Sequence, residues 1–235
     1  QGDCFVADTK SGAIIFDGGS SSEDQVGRYR ILPYMKYLGY QKIQIAVISH
    51  MDIDHYSGIK ELLEMGKIKY LGLPEIPKDE TMKKIIGIAK KRGTTIFYLS
   101  RGRQITTKDG SLKVLHPQKN SQMEKNAASL VMQGKILGYR VLLTGDVEKE
   151  GEEELLSEEL ERADILKAAH HGSKNSTSNE FLQKVQPKQT VISCGKQNRY
   201  GHPHLETIHR LQTYRTKIYR TDRSGAIIFF KRRDG

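Results

Sequence analysis

The stretch Ser49-His50-Met51-Asp52-Ile53-Asp54-His55-Tyr56-Ser57-Gly58 puts two histidines and two aspartates within six residues. Ile43 to Ile48 before it reads as a short apolar strand, and Gly58 to Met65 after it has amphipathic helical spacing. The polar groups are thus expected on a loop at the C-terminal end of a strand, with the backbone held on both sides. Imidazole nitrogen and carboxylate oxygen are donors for Zn, Mn or Fe. Alternation with Met51 and Ile53 in an extended turn would send His50, Asp52 and Asp54 to one side, and His55 would close from the next position. A loop that only caps a helix, through Ser49 or Asp54, needs one such residue and not four. The stretch is therefore read as metal-binding.

Working outward, polar residues recur at strand ends. Asp146 follows Leu142-Leu143-Thr144-Gly145, where a carboxylate can bridge two metals or merely cap a helix starting at Val147. His170 and His171 follow Leu166 to Ala169. Adjacent residues of a strand point oppositely, so one of them is expected to ligate and the other to pack or support. His202 and His204 flank Pro203 beyond another strand.

The elements between these points alternate. Strands are expected at Cys4–Asp8, Ala13–Asp17, Tyr70–Leu73, Thr94–Leu99, Leu112–Leu115, Ser129–Gln133, Tyr139–Thr144, Ile165–Ala169, Thr190–Cys194, Lys217–Arg220 and Ala226–Lys231. Helices are expected at Val26–Leu38 with a kink at Pro33, and at Asp79–Arg92, Val147–Leu160, Glu180–Val185 and Leu205–Tyr214. Tyr34, Tyr37 and Tyr40 read as packing residues. Strand pairs followed by strand–helix units, twice over, predict an α/β fold: an αβ/βα sandwich of two mixed sheets with outer helices, in a single domain over residues 1–235.

Thirty-eight Lys and Arg against 28 Asp and Glu give a net charge of +10, which favours polyanionic partners. Cys4 and Cys194 lack a C-x-x-C neighbour and read as buried thiols. No run has the length of a membrane-spanning helix. The chain opens without Met on Gln1-Gly2-Asp3-Cys4, which suggests a piece of a longer protein.

The sequence resembles the metallo-β-lactamase superfamily through H-x-D-x-D-H at 50–55, Thr144-Gly145-Asp146 and the later histidines. More narrowly, it is similar to the C-terminal metallo-hydrolase domain of the ComEC DNA-uptake proteins. That likeness is carried by Gln1-Gly2-Asp3, Asp17-Gly18-Gly19, Asn126 to Val131, Leu143 to Glu148, His170-His171-Gly172-Ser173, Tyr200 to His204 and Tyr219 to Asp222.

The resemblance implies two divalent ions, Mn or Zn. His50 and Asp52 would serve one and Asp54 and His55 the other; Asp146 would bridge, and His171, with His170 as its rival, would complete the second. Asp52 stands where a second histidine is usual and Asn126 where another is expected. These harder donors tilt the first position towards Mn or Mg. His116 is the nearby imidazole, read as structural. A pair of ions about 3.5–4 Å apart acidifies a shared water for in-line attack on phosphorus. Asp54 and Asp146 would serve that nucleophile. His202 or His204 would protonate the leaving oxygen or bind a phosphate oxygen.

Ser173, Lys174, Asn175 and Arg199 are candidate phosphodiester contacts, with Lys167 and Arg220 as further basic candidates. The implied function is a DNase that degrades one strand of incoming DNA, single-stranded or duplex. It would be tethered through the channel portion of the same parent protein, on the outer face of the cell membrane, and soluble by itself. Hydrolysis of a small or cell-surface phosphodiester is the alternative, and a non-catalytic DNA-guiding module a further one.

Overall fold

The computed structural model describes residues 1–123 and 126–231. The first half builds a five-stranded sheet in spatial order β1 (Phe5–Thr9), β2 (Gly12–Phe16), β3 (Ile43–Val47), β4 (Ile68–Pro74), β5 (Thr95–Leu99). β1 and β2 form an antiparallel hairpin, with Phe5 opposite Phe16, and β2 to β5 run parallel. The second sheet has seven strands in the order β12 (Lys217–Arg220), β11 (Gln189–Ile192), β10 (Ile165–Lys167), β9 (Tyr139–Leu143), β8 (Val131–Ile136), β7 (Gly110–His116), β6 (Gln104–Thr107). β9 to β12 are parallel, while β6 to β9 are antiparallel. Both sheets are mixed, in an α/β architecture.

Strand alternation sorts the side chains into layers. Ala13 and Ile15 of β2 turn outward to meet Met35, Ile59, Leu62 and Met82 from the helices α1 (Leu32–Tyr37), α2 (Ile53–Glu64) and α3 (Glu80–Lys91). Ile14 and Phe16 turn inward and join Val114, Met132 and Leu143 of the second sheet. On the outer face of that sheet Leu142 and Leu166 meet Leu155, Phe181, Leu182 and Leu211, from α4 (Glu150–Ser157), α5 (Asn179–Val185) and α6 (Leu205–Thr213). The inner layer is common to both sheets. The C-terminal ends of β2, β3, β9, β10 and β11 deliver their loops to one rim of it.

Several expectations change. The helix after β3 begins at Ile53, so Asp54 and His55 lie in its first turn and converge with His50 through a strand-to-helix corner, not by strand alternation. Asp52 precedes that helix, yet its side chain does not cap it. The helix expected from Val147 is reduced to Glu150–Ser157, because Asp146 to Lys149 form the corner that carries Asp146. Pro33 sits at the start of α1, after a π-helical turn over Gly27–Ile31, where its missing N–H costs nothing. β6 was not anticipated.

Ala226 to Lys231 form no strand. After the short α7 (Thr221–Ser224) this segment runs unpaired, and Phe229 rests near Tyr139 and Tyr219. Cys4 is exposed, since it precedes the edge strand β1; Cys194 is buried. Tyr34 and Tyr37 are not packing residues: they stack on each other at 6.3 Å on the solvent side, with Tyr37 83% exposed, while Ile31 and Met35 hold that segment to the core. Tyr40 does pack, and its hydroxyl donates to Asp8 Oδ1 at 2.5 Å. No helix among the described residues is long and apolar enough to cross a membrane.

Candidate metal centre

Three imidazoles meet at the rim, each with its Nδ1 hydrogen committed. His55 Nδ1 lies 2.9 Å from Asp17 Oδ2, and His171 Nδ1 lies 2.8 Å from the Ser193 carbonyl oxygen and 3.3 Å from Asp3 Oδ1. Ser49 donates its hydroxyl hydrogen to Asp17 Oδ2 at 2.7 Å, so its Oγ accepts from His50 Nδ1 at 3.0 Å. Every Nδ1 is thus a donor to an acceptor, and each neutral ring is left with a lone pair on Nε2. The three Nε2 atoms are buried and have no hydrogen-bond partner.

Those lone pairs face carboxylates. Asp146 Oδ2 lies 3.2 Å from His55 Nε2, 3.3 Å from His171 Nε2 and 3.8 Å from His170 Nε2. Asp54 Oδ2 is 3.2 Å from His171 Nε2, and Asp52 Oδ2 is 3.7 Å from His50 Nε2. One ligand atom from each of His50, His55 and Asp146 falls within 4.8 Å of the others, and so does one from each of Asp54, His55 and His171. Orphaned imidazole lone pairs beside buried carboxylates are the donor set of a divalent cation, and these residues fit one.

Without the ion, the cluster holds protons instead. Burial opposes charge on His55, but the Asp146 and Asp17 carboxylates push it up to about 10. His171 is raised in the same way by Asp146 and Asp3, against its burial. Burial and the neighbouring His55 bring His50 down to about 4. Asp146 is held well below the ordinary carboxylate range by His171, His55 and Lys167, although burial acts the other way.

The backbone that presents these groups is strained locally. His170 and His171 both have positive φ, 45° and 53°, as does Asp17 at 56°. For non-glycine residues this conformation persists only where the surroundings enforce it. Around His170–Ser178 that enforcement is visible. Glu152 accepts from the Thr177 and Ser178 amides at 2.6 and 2.8 Å, and Arg210 donates to the carbonyls of Thr177, Lys174 and Ser176. The adjacent histidines lie beyond the strand in this left-handed turn, so strand alternation does not set them: His171 turns to the cluster, and His170 Nδ1 lies 2.7 Å from Glu148 Oε1.

The other predicted residues fall around this centre. His202 is brought beside it, its ring 5.4 Å from His170 and 6.2 Å from His171. Burial, together with His170 and His171, lowers it to about 4, so it stays neutral. His204 Nδ1 accepts the Lys174 amide at 3.1 Å, which leaves its proton on Nε2. Ser173 donates to Glu148 Oε1 at 2.7 Å, and Asn175 donates its amide to Ser173 Oγ at 3.2 Å. Lys174 and Arg199 are exposed, and the Arg199 guanidinium lies over the Tyr200 ring. Asn126 opens a turn whose last residue, Ser129, accepts the Asp146 amide at 3.2 Å. His116 is structural: Nε2 donates to the Ala127 carbonyl at 2.7 Å and Nδ1 lies 3.3 Å from Glu154.

Two basic candidates are corrected. Arg220 is engaged by Asp222 at 2.7 Å. Lys167 is no surface contact: it is 1% exposed, and its ammonium lies among Asp3 Oδ2, the Gly145 carbonyl at 2.6 Å and Asp146 Oδ1 at 3.1 Å. Asp3, Asp17 and Gln1 were not foreseen as site residues. Asp17 carried a signal as an aspartate before two glycines at a strand end, while Gln1 and Asp3 stood out only within the Gln1-Gly2-Asp3 match to the family.

Residues 1–196 match the family model described as the metallo-beta-lactamase superfamily. The chain is 38% identical over 216 residues to ComE operon protein 3 of Bacillus subtilis (strain 168), covering 89% of this chain and 27% of that protein. It is 30% identical over 245 residues to competence protein ComA of Neisseria gonorrhoeae, covering 100% of this chain and 32% of that one. The chain therefore spans well under half the length of these relatives. Among solved structures, the metallo-beta-lactamase fold protein YhfI from Bacillus subtilis superposes with a TM-score of 0.61 at 14% identity, over 93% of this chain and 88% of that one, a likeness of fold.

Proposed function

The chain belongs to the metallo-beta-lactamase superfamily, with relatives among the ComEC-type competence proteins, and from that premise we propose that it is a metal-dependent phosphodiesterase that degrades one strand of DNA during DNA uptake. The observation that carries the reading is the set of three buried Nε2 atoms, on His50, His55 and His171, that lack a hydrogen-bond partner and gather with Asp146 and Asp54. A net charge of +10 supports a polyanionic substrate.

His50 and Asp52 would hold one ion, and Asp54, His55 and His171 the other, with Asp146 contributing to both. The ions are Mn or Zn, with Mn favoured where Asp52 replaces an imidazole. When bound, they supply an acidified water as nucleophile and neutralise charge on the phosphoryl oxygens.

The chain's own residues do the rest. Asp54 stays ionised because His171 and His55 outweigh its burial, so its carboxylate accepts the nucleophile's proton by hydrogen bond. His202, neutral and largely buried, suits hydrogen bonding to a phosphate oxygen better than protonation of a leaving group. His204, whose Nδ1 accepts the Lys174 amide, would present its Nε2–H to the leaving oxygen as a hydrogen-bond donor. Lys174, Asn175 and Arg199, all exposed, would contact the phosphodiester backbone, with Ser173 buried behind them on Glu148.

The test is cleavage of single-stranded and duplex DNA after chelation and add-back of Mn, Zn or Mg, beside Asp54→Ala and Asp146→Ala. Cleavage restored in the parent chain and reduced by about 10³-fold or more in both variants is expected. A chain that regains its metal but cleaves neither DNA form refutes the nuclease reading.

A further inference from the structure

The N-terminal residues cross the rim between the two sheets. The Asp3 amide donates to the Asp54 carbonyl at 3.0 Å, its carbonyl accepts the Gly19 amide at 3.1 Å, and the Gly2 carbonyl accepts Ser193 Oγ at 2.7 Å. Gln1 is carried by this strap into the second half of the molecule and is 7% exposed. Its Nε2 lies 3.0 Å from His202 Nδ1. Its Oε1 accepts the Gly195 amide at 3.4 Å. A backbone N–H only donates, so it selects the oxygen end of the carboxamide and leaves the NH₂ end for the imidazole.

An NH₂ group facing Nδ1 makes that nitrogen the acceptor, and the ring proton then resides on Nε2. The imidazole is held from its own side as well. The His202 amide donates to Asn198 Oδ1 at 2.9 Å, and Asn198 Nδ2 donates to the carbonyls of His202 and Gly195 at 2.6 and 2.9 Å. Asn198 thus holds in one clasp both the His202 backbone and the carbonyl of Gly195, the residue whose amide orients Gln1. Tyr200 stacks on the ring, its centroid 5.8 Å away and the planes 22° apart.

We propose that Gln1 is a positioning residue for His202: its carboxamide, oriented by Gly195, fixes the imidazole as the Nε2–H tautomer, so that His202 presents a hydrogen-bond donor to an oxygen anion of the substrate. The donor role rests on the phosphodiesterase reading above; the tautomer does not. A donor set in advance loses nothing to reorganisation when charge develops on the phosphoryl oxygens. An aspartate or glutamate in place of Gln1 would reverse the arrangement, because a carboxylate only accepts and would draw the proton to Nδ1.

The experiment is two-bond ¹H–¹⁵N correlation of the histidine rings in the zinc-loaded, diamagnetic chain, with the His202 signals assigned through His202→Gln. The parent is expected to show an unprotonated Nδ1 and a protonated Nε2 at His202, and Gln1→Glu the opposite pattern. A parent with protonated Nδ1, or a Gln1→Glu variant with unchanged ring shifts, overturns the proposal. Kinetics on a DNA oligonucleotide supply the second readout. Gln1→Glu is expected to lower kcat/KM by on the order of 10²-fold, with the thermal midpoint and metal content kept. Equal kcat/KM in parent and variant, with the tautomer reversed, refutes the donor role. A parent that shows the expected tautomer yet cleaves no DNA supports the Gln1–His202 assignment while removing the phosphodiesterase reading, so the two failures are separate.

Discussion

Replacing Asp17 by Asn should disable the metal centre without removing a single ligand. Asp17 is fully buried, and its carboxylate accepts three hydrogen bonds: Ser49 N at 2.7 Å on Oδ1, and Ser49 Oγ at 2.7 Å and His55 Nδ1 at 2.9 Å on Oδ2. Asparagine tolerates the φ of 56° that alanine would strain, so the backbone stays. Its carboxamide, however, must present NH₂ to one of these donors whichever way it turns. If NH₂ faces His55, the imidazole accepts at Nδ1 and its Nε2 acquires the proton, which points at Asp146.

Two charge-assisted bonds to Oδ2 are lost, at about 1.5–3 kcal/mol each, so the metal-free protein should lose about 3–6 kcal/mol. Loss of an orienting acceptor behind a metal-ligating imidazole weakens metal binding about 10–100-fold, or about 1.4–2.8 kcal/mol. Urea unfolding of the chelated protein and competition of zinc against a chromogenic chelator measure the two terms. An Asp17→Asn chain with parental zinc affinity would refute the argument that Asp17 sets the His55 tautomer.

His55 is pushed from 6.5 up to about 10 in the metal-free protein. Between those values the unfolded chain sheds a proton that the folded chain keeps, so stability is full below about 6.5 and falls as pH rises towards about 10; a flat urea midpoint over that range would contradict it. For the same reason, zinc binding near neutral pH should release protons, seen calorimetrically as a binding enthalpy that changes with the ionisation enthalpy of the buffer. Gly19→Ala would set a Cβ 2.6 Å from both the Asp54 carbonyl carbon and the Ile53 oxygen and 2.7 Å from the His55 amide. It should displace the first turn of α2 and weaken zinc binding while Asp54 and His55 remain, which the same competition assay reads. Met35→Ala, at a position 1% exposed, should cost about 2–5 kcal/mol in urea unfolding, whereas Tyr37→Ser, two residues on and 83% exposed, should stay within about 0.5 kcal/mol of the parent.

The ligand loops were legible because they obey a local rule: histidine or aspartate directly after an apolar strand. His50 to His55, Asp146 and His171 all satisfy it. Gln1, Asp3 and Lys167 do not, since nothing near them in sequence shows that residue 3 meets residue 167 or that residue 1 meets residue 202. Lys167 looked like any basic residue at a strand end; its burial follows from two carboxylates that arrive from other elements. The stretch Ala226–Lys231 shows the converse. Its apolar composition suits a strand, but a strand also needs a neighbour to pair with, and composition does not supply one. The start of α2 was misplaced for a subtler reason: Asp52 to His55 are polar enough to read as loop, while the hydrogen bonds from the His55 and Tyr56 amides to the Asp52 carbonyl already belong to the helix.

The strap at the N-terminus also bears on how the molecule comes into being. The pairs that complete the centre, Asp3 with Lys167, Asp54 with His171 and Gln1 with His202, join the first half of the chain to the second. Contacts this distant close late, after the entropy of the intervening loops has been surrendered. During synthesis the first half emerges with Asp3, Asp17, Asp54 and two histidines in place but without the ammonium that neutralises Asp3. Its sheet has buried its helical face by then, while its rim and inner face must wait for strands made much later. The centre is therefore the last part of the fold to close, and a divalent cation captured at that stage would act as a template that draws the second half onto the first.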